Sequence, residues 1–204
     1  MATTVLTWRA DPGSGEERFE QAHVDTDVDG LRARGTILVG SGELVGPEGP
    51  YRVDYELDTD RNSAMHRLVV RVEGAGWRRE LWLRREADGD WTCRRLSDPD
   101  DHQPAIDRPA ALAGALDCDL LSSPLFNTMP LRRSGLHREP GEQEFLMAWV
   151  GIPDLRVTPS RQTYRHVRPG VVSFASEGGF AAEIDVDADA FPLRYPSVAV
   201  RVGT

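Results

Sequence analysis

The sequence predicts a mainly β protein: a curved antiparallel sheet or incomplete β-barrel, plugged by one or two short helical or irregular segments. Three observations favour this fold. Many short segments alternate apolar and polar residues, which is typical of strands with one buried face. Asp-Gly pairs separate several of these segments and indicate tight turns. A central stretch, residues 117–133, is apolar yet contains prolines, and therefore suits neither a strand nor a long helix.

The strands are predicted from this alternation. It is clearest where Tyr51, Val53 and Tyr55 face one side while Arg52 and Asp54 face the other. The same pattern predicts strands at residues 18–25, 31–39, 67–72, 77–84, 90–95, 144–150, 155–158, 161–168, 171–175, 180–187 and 198–202. Strands this short and numerous favour antiparallel hairpins in a curved sheet.

Turn and helix signals complete the predicted fold. Asp29-Gly30 and Asp88-Gly89 stand between strand candidates, and both are expected to form hairpin turns. Residues 109–116, rich in Ala and Leu, are predicted to form two helical turns, and part of the central stretch one more. Because no linker is long enough to divide the chain, residues 1–204 are expected to form a single domain.

The central stretch, Asp117–Arg133, carries the strongest local signal. Pro124 and Pro130 lack backbone donors and constrain the residues before them, so regular structure is interrupted. Because the stretch is nevertheless apolar, we expect it to be buried and its backbone to need side-chain partners, which Asn127 and Thr128 are suited to supply. It is either a structural plug that closes one end of the sheet or part of the lining of a ligand site.

Composition limits the functions open to this chain. Its net charge is -9, and all 24 basic residues are arginine. The acidic balance argues against nucleic-acid binding, and the lack of lysine excludes Schiff-base chemistry on a lysine. No apolar run approaches the ~20 residues of a membrane span, and the first residues show no signal peptide. We expect a cytoplasmic protein in which Cys93 and Cys118 are reduced.

No metal, cofactor or catalytic residue is predicted from the motifs. The five histidines show none of the spacings used by zinc sites. Residues 25–30 imitate the opening of a calcium loop, but the closing Glu of that loop is replaced by Thr36, so a hairpin turn is favoured. Asp117 and Asp119 share one face if extended, and we expect them to form ion pairs or caps rather than to hold a metal.

Two pairs of side chains are candidates for ligand contacts. Arg132 and Arg133 follow the central stretch, where they either bind an anion bidentately or pair with a nearby aspartate. Gln162 and Tyr164 lie on one face of a predicted strand, where they either face solvent or line a cavity. The residues alone leave both alternatives open.

The central stretch also resembles a family signature. Asp117–Arg133 follows the pattern Asp-x-Asp-Leu … Pro-x-x-Asn-Thr-x-Pro-x-Arg-Arg and is similar to the "putative glycolipid-binding" family of bacterial domains. Residues 51–55, 162–164 and 195–196 agree with the same family, so the resemblance covers residues 19–202. It implies an incomplete barrel similar to bacterial lipoprotein carriers, whose hydrophobic concavity is capped by short irregular segments.

The function that this resemblance implies is binding of an amphipathic ligand, a glycolipid by the family's name, in the concavity. The ligand-binding residues implied are Asn127, Thr128, Arg132, Arg133, Gln162 and Tyr164. The structural residues of the motif are Asp117, Asp119, Pro124, Pro130 and Tyr195.

Two alternatives to a binding protein stay open. The first is an enzyme acting on a small hydrophobic substrate, with Asp117, Asp119 or His166 as acid–base groups. The second is a protein-interaction module without a small ligand, for which exposed sheet edges favour a homodimer. Binding without catalysis is the preferred hypothesis, because the sequence places no pair of acid–base groups within reach of each other.

Overall fold

The computed structural model describes residues 2–106 and 108–203. Strands account for 56% of the structure and form one large, mainly antiparallel sheet that is not closed into a barrel. A short helix and 3-10 turns complete the described chain. The predicted fold class is therefore confirmed.

The described residues contain fourteen strands and one α-helix. The strands are β1 (Ala2–Ala10), β2 (Glu17–Asp27), β3 (Gly30–Ser41), β4 (Tyr51–Thr59), β5 (Met65–Gly74), β6 (Trp77–Arg85), β7 (Trp91–Asp98), β8 (Asp117–Leu120), β9 (Glu142–Val150), β10 (Val157–Arg168), β11 (Val171–Ser176), β12 (Ala181–Val186), β13 (Pro192–Tyr195) and β14 (Ala199–Arg201). Helix α1 spans Thr128–Ser134, and 3-10 turns lie at Gly46–Glu48, Pro109–Leu112 and Pro124–Asn127.

The strands form two meanders that meet at the ends of the described chain. Across the sheet the order is β7-β6-β5-β4-β3-β2-β1-β14-β13-β12-β11-β10-β9-β8. Strand β14 pairs with β1 and so joins the two meanders, and β8 pairs with β9 in parallel while the other pairs are antiparallel. The segment between β7 and β9 carries β8 and α1, which pack against both meanders.

The hairpin turns form where the Asp-Gly pairs predict them. Asp29-Gly30 joins β2 to β3, and Asp88-Gly89 lies between β6 and β7. Gly30 has φ 137°, and a Cβ there would lie 2.5 Å from the backbone oxygen of Asp60. Only glycine fits this turn, because a side chain would meet both an unfavourable backbone conformation and the neighbouring loop.

Several sequence-based boundaries are wrong. The helix expected at residues 109–116 is a single 3-10 turn, Pro109–Leu112, because the backbone leaves the helical conformation at Ala113, with ψ 123°, and Gly114 follows with φ 85°. The strands expected at 155–158 and 161–168 are one strand, β10. Strands β1 and β13 were not predicted: the first four residues of β1 are exposed, and β13 has only four residues.

The plug segment, residues 117–133, is buried as expected. Leu125, Phe126 and Met129 belong to the core cluster that also holds the inner faces of β3 to β6. Phe126 packs edge-on against Tyr55, with ring centroids 5.4 Å apart. Leu131 instead joins the cluster formed by β9 to β13. The segment therefore fills the space between the two meanders and contributes to both cores.

Three further features of the described residues bear on function. Cys93 and Cys118 are free thiols, as predicted. Neither α1 nor the 3-10 turns have the length and apolar character that crossing a bilayer requires. The described His, Cys, Asp and Glu side chains form no group of three or more that could hold a metal ion.

Candidate functional site

The candidate site is a pocket of about 680 Å³ between the plug segment and strands β10, β11 and β13. The plug supplies Asp119 and residues 120–123 to its wall, and the 3-10 turn supplies Asn127. Strand β10 supplies Gln162. Asn127 and Gln162, which the sequence predicts to bind a ligand, therefore lie in one pocket although they are distant in sequence.

A chain of hydrogen bonds fixes the polar side of this pocket. Gln162 Nε2 donates to Asp119 Oδ2 at 2.6 Å. The Tyr164 hydroxyl lies 2.8 Å from Asn127 Oδ1 and 3.1 Å from Gln162 Oε1, so the two amides share one buried hydroxyl donor. Asn127 Nδ2 donates to the carbonyl oxygen of Pro124 at 3.2 Å. Because each amide nitrogen carries two N–H groups, these hydrogen bonds leave one N–H of Gln162 and one of Asn127 unused.

Asp119 is an acidic group with a perturbed protonation equilibrium. Burial raises the pKa of its carboxyl to about 6, against the opposing effect of the hydrogen bond from Gln162. The carboxyl therefore accepts hydrogen bonds as an anion at neutral pH and can carry a proton in mildly acidic solution.

Aromatic rings form the apolar side of the pocket. Tyr195 lies between Phe174 and Phe180, with ring centroids 5.7 Å and 5.9 Å away. Trp149 of β9 also lines the pocket. Phe180 is 38% exposed, so the aromatic wall reaches the mouth of the pocket. A surface of this kind packs against apolar chains or the faces of sugar rings.

The charge of the lining is acidic. Asp119, Glu43 and Glu177 contribute carboxyl groups, and none of the described residues that line the pocket is basic. Hydroxyl groups are frequent in the same lining, and they come from Ser122, Ser123, Thr158, Ser160, Ser176, Tyr195 and Ser197. This lining suits an uncharged, hydroxyl-rich group better than a phosphate or a carboxylate.

The structure places Arg133 away from this pocket. Its guanidinium binds the carboxylate of Asp117 bidentately and also donates to the carbonyl oxygen of Ser63 at 3.3 Å. Burial raises the pKa of Asp117, and Arg133 opposes that rise. The pair ties α1 to β8 and to the turn between β4 and β5.

The remaining motif residues lie around the same segment. Arg132 is half-buried on α1, and its side chain has no hydrogen bond or ion pair to another described residue. Thr128 is fully buried and donates to the carbonyl oxygen of Ala190 at 3.2 Å. Pro124 begins the 3-10 turn, and Pro130 lies in the first turn of α1, where its missing N–H costs no helical hydrogen bond.

A second buried polar cluster lies next to the pocket, and sequence reasoning missed it. Glu20 Oε1 accepts hydrogen bonds from the Tyr55 hydroxyl and from Ser123 Oγ, each at 2.6 Å. Burial raises the pKa of Glu20 to about 7, although Ser123, Tyr55 and nearby Arg18 oppose the rise. Arg18 and Glu20 precede Ala22 and Val24 on the same face of β2. The sequence signal for this cluster is a pair of charged residues at positions that the alternation of β2 assigns to its buried face.

Comparison with known families identifies the family to which this chain belongs. A family model described as "Putative glycolipid-binding" matches residues 5–201. The chain belongs to this "Putative glycolipid-binding" family. The match confirms the resemblance carried by the plug segment, and it extends over both meanders of the sheet.

A solved structure shares the fold of this family member. It is the crystal structure of a DUF1089 family protein from Pseudomonas aeruginosa, with a TM-score of 0.71, 24% sequence identity and coverage of 95% of each chain. At this identity the likeness shows a common fold and nothing about the ligand. No curated protein matches the chain in sequence.

Proposed function

We propose that the pocket binds the uncharged, hydroxyl-rich head of an amphipathic ligand, of the glycolipid class that the family description names. One observation carries the proposal: the same pocket joins the hydrogen-bonded pair Asp119 and Gln162 to an aromatic wall, with no basic side chain in its described lining. The ligand's apolar part would pack on Tyr195, Phe180 and Trp149.

The chemistry of hydroxyl groups fits this lining. A hydroxyl both donates and accepts hydrogen bonds, and the pocket offers N–H donors from Asn127 and Gln162 beside the acceptor Asp119. A phosphate offers only acceptors at neutral pH and would be repelled by Asp119 and Glu177. A neutral sugar therefore satisfies the pocket where an anionic head does not.

Of the residues predicted to bind a ligand, we propose direct contacts for Asn127 and Gln162. Tyr164 would act as a positioning residue, because its hydroxyl holds both amides from behind the pocket wall. The contacts predicted for Thr128, Arg132 and Arg133 are not part of this proposal, since none of the three lines the pocket.

The test is a calorimetric titration with dodecyl maltoside below its critical micelle concentration, beside dodecyl phosphate as the anionic probe. We expect the maltoside to bind more tightly. Phe180→Ala should weaken its binding by about 1–2 kcal/mol through lost aromatic contact. Phe19→Ala is the matched control, because Phe19 is 55% exposed and does not line the pocket. Equal affinity for both probes, or equal effects of the two variants, would contradict the proposal.

An acid–base enzyme on the same scaffold is the second candidate. Burial raises the pKa of both Asp119 and Glu20, to about 6 and about 7, which suits proton transfer near neutral pH. The test is hydrolysis of a chromogenic dodecyl glycoside or ester over a range of pH. Activity that disappears in Asp119→Asn would favour the enzyme, and a flat absence of turnover with tight maltoside binding would favour the binding protein.

A cytoplasmic location and a homodimer stay predictions. Dimerisation would use the unpaired edges of β7 or β8, which are the outer strands of the sheet. Cell fractionation tests the location, and light scattering coupled to size-exclusion chromatography tests the dimer.

A further inference from the structure

Two charged side chains lie side by side inside the protein with part of their hydrogen-bonding capacity unused. Arg18 and Glu20 are 2% and 0% exposed and both face inward from β2. Arg18 Nη2 donates to the carbonyl oxygen of Val198 at 2.6 Å, but Nε and Nη1 have no partner among the residues that the structure describes. Glu20 Oε1 accepts two hydrogen bonds, whereas Oε2 has none.

Such an arrangement is costly unless another polar group completes it. Leaving a buried donor or acceptor unpaired costs about 1–3 kcal/mol, and more for a charged group. Two nitrogens of Arg18, which together carry three N–H groups, and one carboxyl oxygen of Glu20 have no partner among the described residues. Their chemistry calls for a group that accepts from Arg18 and donates to Glu20.

The cluster adjoins the pocket. Ser123 lines the pocket and donates to Glu20, and Val198 lines the pocket and accepts from Arg18. The same two wall residues therefore hold both charged side chains from the pocket side. Arg18 and Glu20 are therefore each one hydrogen bond away from a residue of the pocket wall.

We propose that Arg18 and Glu20 form an inner subsite of the pocket, which binds one hydroxyl of the ligand's sugar head. The hydroxyl oxygen accepts from Arg18, and its proton is donated to Glu20 Oε2. A carboxylate ligand satisfies Arg18 but faces the carboxyl of Glu20, and an ammonium satisfies Glu20 but faces Arg18. The proposed subsite rests on the proposed function, because it is the innermost contact of the same ligand.

Either the ligand or an internal water molecule can supply the oxygen between Arg18 and Glu20, and the experiment distinguishes the two. Dodecyl maltoside is titrated against Arg18→Met, with dodecyl octaethylene glycol ether as a probe that has the same chain but no sugar. Methionine fills the space without the guanidinium but also removes the hydrogen bond to Val198, so thermal denaturation of Arg18→Met is measured beside the titration to show that the variant is folded. Arg32→Met is the matched control, because Arg32 is exposed on the neighbouring strand β3.

We expect Arg18→Met to lower the affinity for the maltoside about tenfold, the value of one charge-assisted hydrogen bond, and to leave the affinity for the ether within about twofold. Glu20→Gln provides a second variant, which keeps the bonds to Tyr55 and Ser123 and replaces the free acceptor by a donor. It too should weaken only the maltoside.

The outcomes that overturn the subsite differ from those that overturn the function. If Arg18→Met and Glu20→Gln bind the maltoside like wild type while Phe180→Ala binds weakly, the pocket stands and the subsite is wrong. A crystal structure of the complex that shows water between Arg18 and Glu20, and the sugar elsewhere in the pocket, would also show that the subsite is wrong. If the wild-type protein binds neither probe, the proposed function is wrong, and so is the subsite that depends on it.

Discussion

At the scale of single residues, Glu20 makes stability depend on pH. Its pKa rises from 4.5 to about 7 on folding, so the folded protein binds the proton more tightly than the unfolded chain. The contribution to stability is complete below pH 4.5 and is lost as the pH rises through 7. Glu20→Gln should remove this slope, of order 3 kcal/mol over the window, which urea denaturation at a series of pH values measures.

The control for this prediction lies on the same strand. Glu17 is exposed at the start of β2, so Glu17→Gln should keep the slope of the wild type. A slope between pH 6 and pH 7 that survives in Glu20→Gln would show that another group causes it, because the contribution of Asp119 is lost by about pH 6. Asp119 is expected to leave a smaller slope of the same sign, since its pKa rises to about 6 from 3.8.

Gly35 is a residue on which the position of Tyr55 depends. The Tyr55 ring lies over Gly35, and a Cβ at Gly35 would be 2.1 Å from the ring carbon Cζ. Gly35→Ala should therefore push the ring away from Glu20 and lower the free energy of unfolding by about 1–3 kcal/mol. Thermal denaturation measures the loss. Gly13→Ala, whose nearest contact is 3.6 Å away, serves as control and should unfold like wild type.

At the scale of elements, two adjacent arginines of α1 should behave differently. Arg133 pairs with fully buried Asp117, so Arg133→Met leaves an unpaired buried carboxylate and should cost about 3–5 kcal/mol of stability. The side chain of Arg132 has no hydrogen bond or ion pair to another described residue, and Arg132→Met should change stability by less than about 0.5 kcal/mol. Chemical denaturation of the two variants tests the contrast.

A double variant separates the two explanations of a loss at Arg133. Asp117→Leu combined with Arg133→Met removes both charges and should recover much of the stability lost in the single variant. If the double variant is no more stable than Arg133→Met, packing of α1 rather than the ion pair explains the loss. Equal stability of Arg132→Met and Arg133→Met would contradict the conclusion that Arg133 stabilises the fold through its ion pair with Asp117.

The elements also show what the sequence could predict. Strands such as β4 and β12 were found because each has one buried and one exposed face. Strand β8 has Asp117 and Cys118 both buried, so alternation gives no signal there. The sequence overestimates the helix at residues 109–116, because composition does not show that the backbone leaves the helical conformation at Ala113 and Gly114.

At the scale of the whole molecule, the sheet order explains why the site was only partly predictable. Local patterns identified the plug segment, Asn127 and Gln162, but the pocket arises only when β10, β11 and β13 fold around the plug. Arg18 and Glu20 lie next to the pocket because β1 pairs with β14, which brings the neighbouring strand β2 close to Val198 of the pocket wall. Pairings at this separation in sequence have no local signature.

Hydrogen exchange with saturating dodecyl maltoside, read by mass spectrometry, tests the central claim most directly. We predict slower exchange in residues 119–123 and 158–160 and at Asn127 and Gln162, which line the pocket, and unchanged exchange in β5 and β6, which do not. Slower exchange confined to the edge strand β7, or no change in the plug segment, would contradict ligand binding in this pocket.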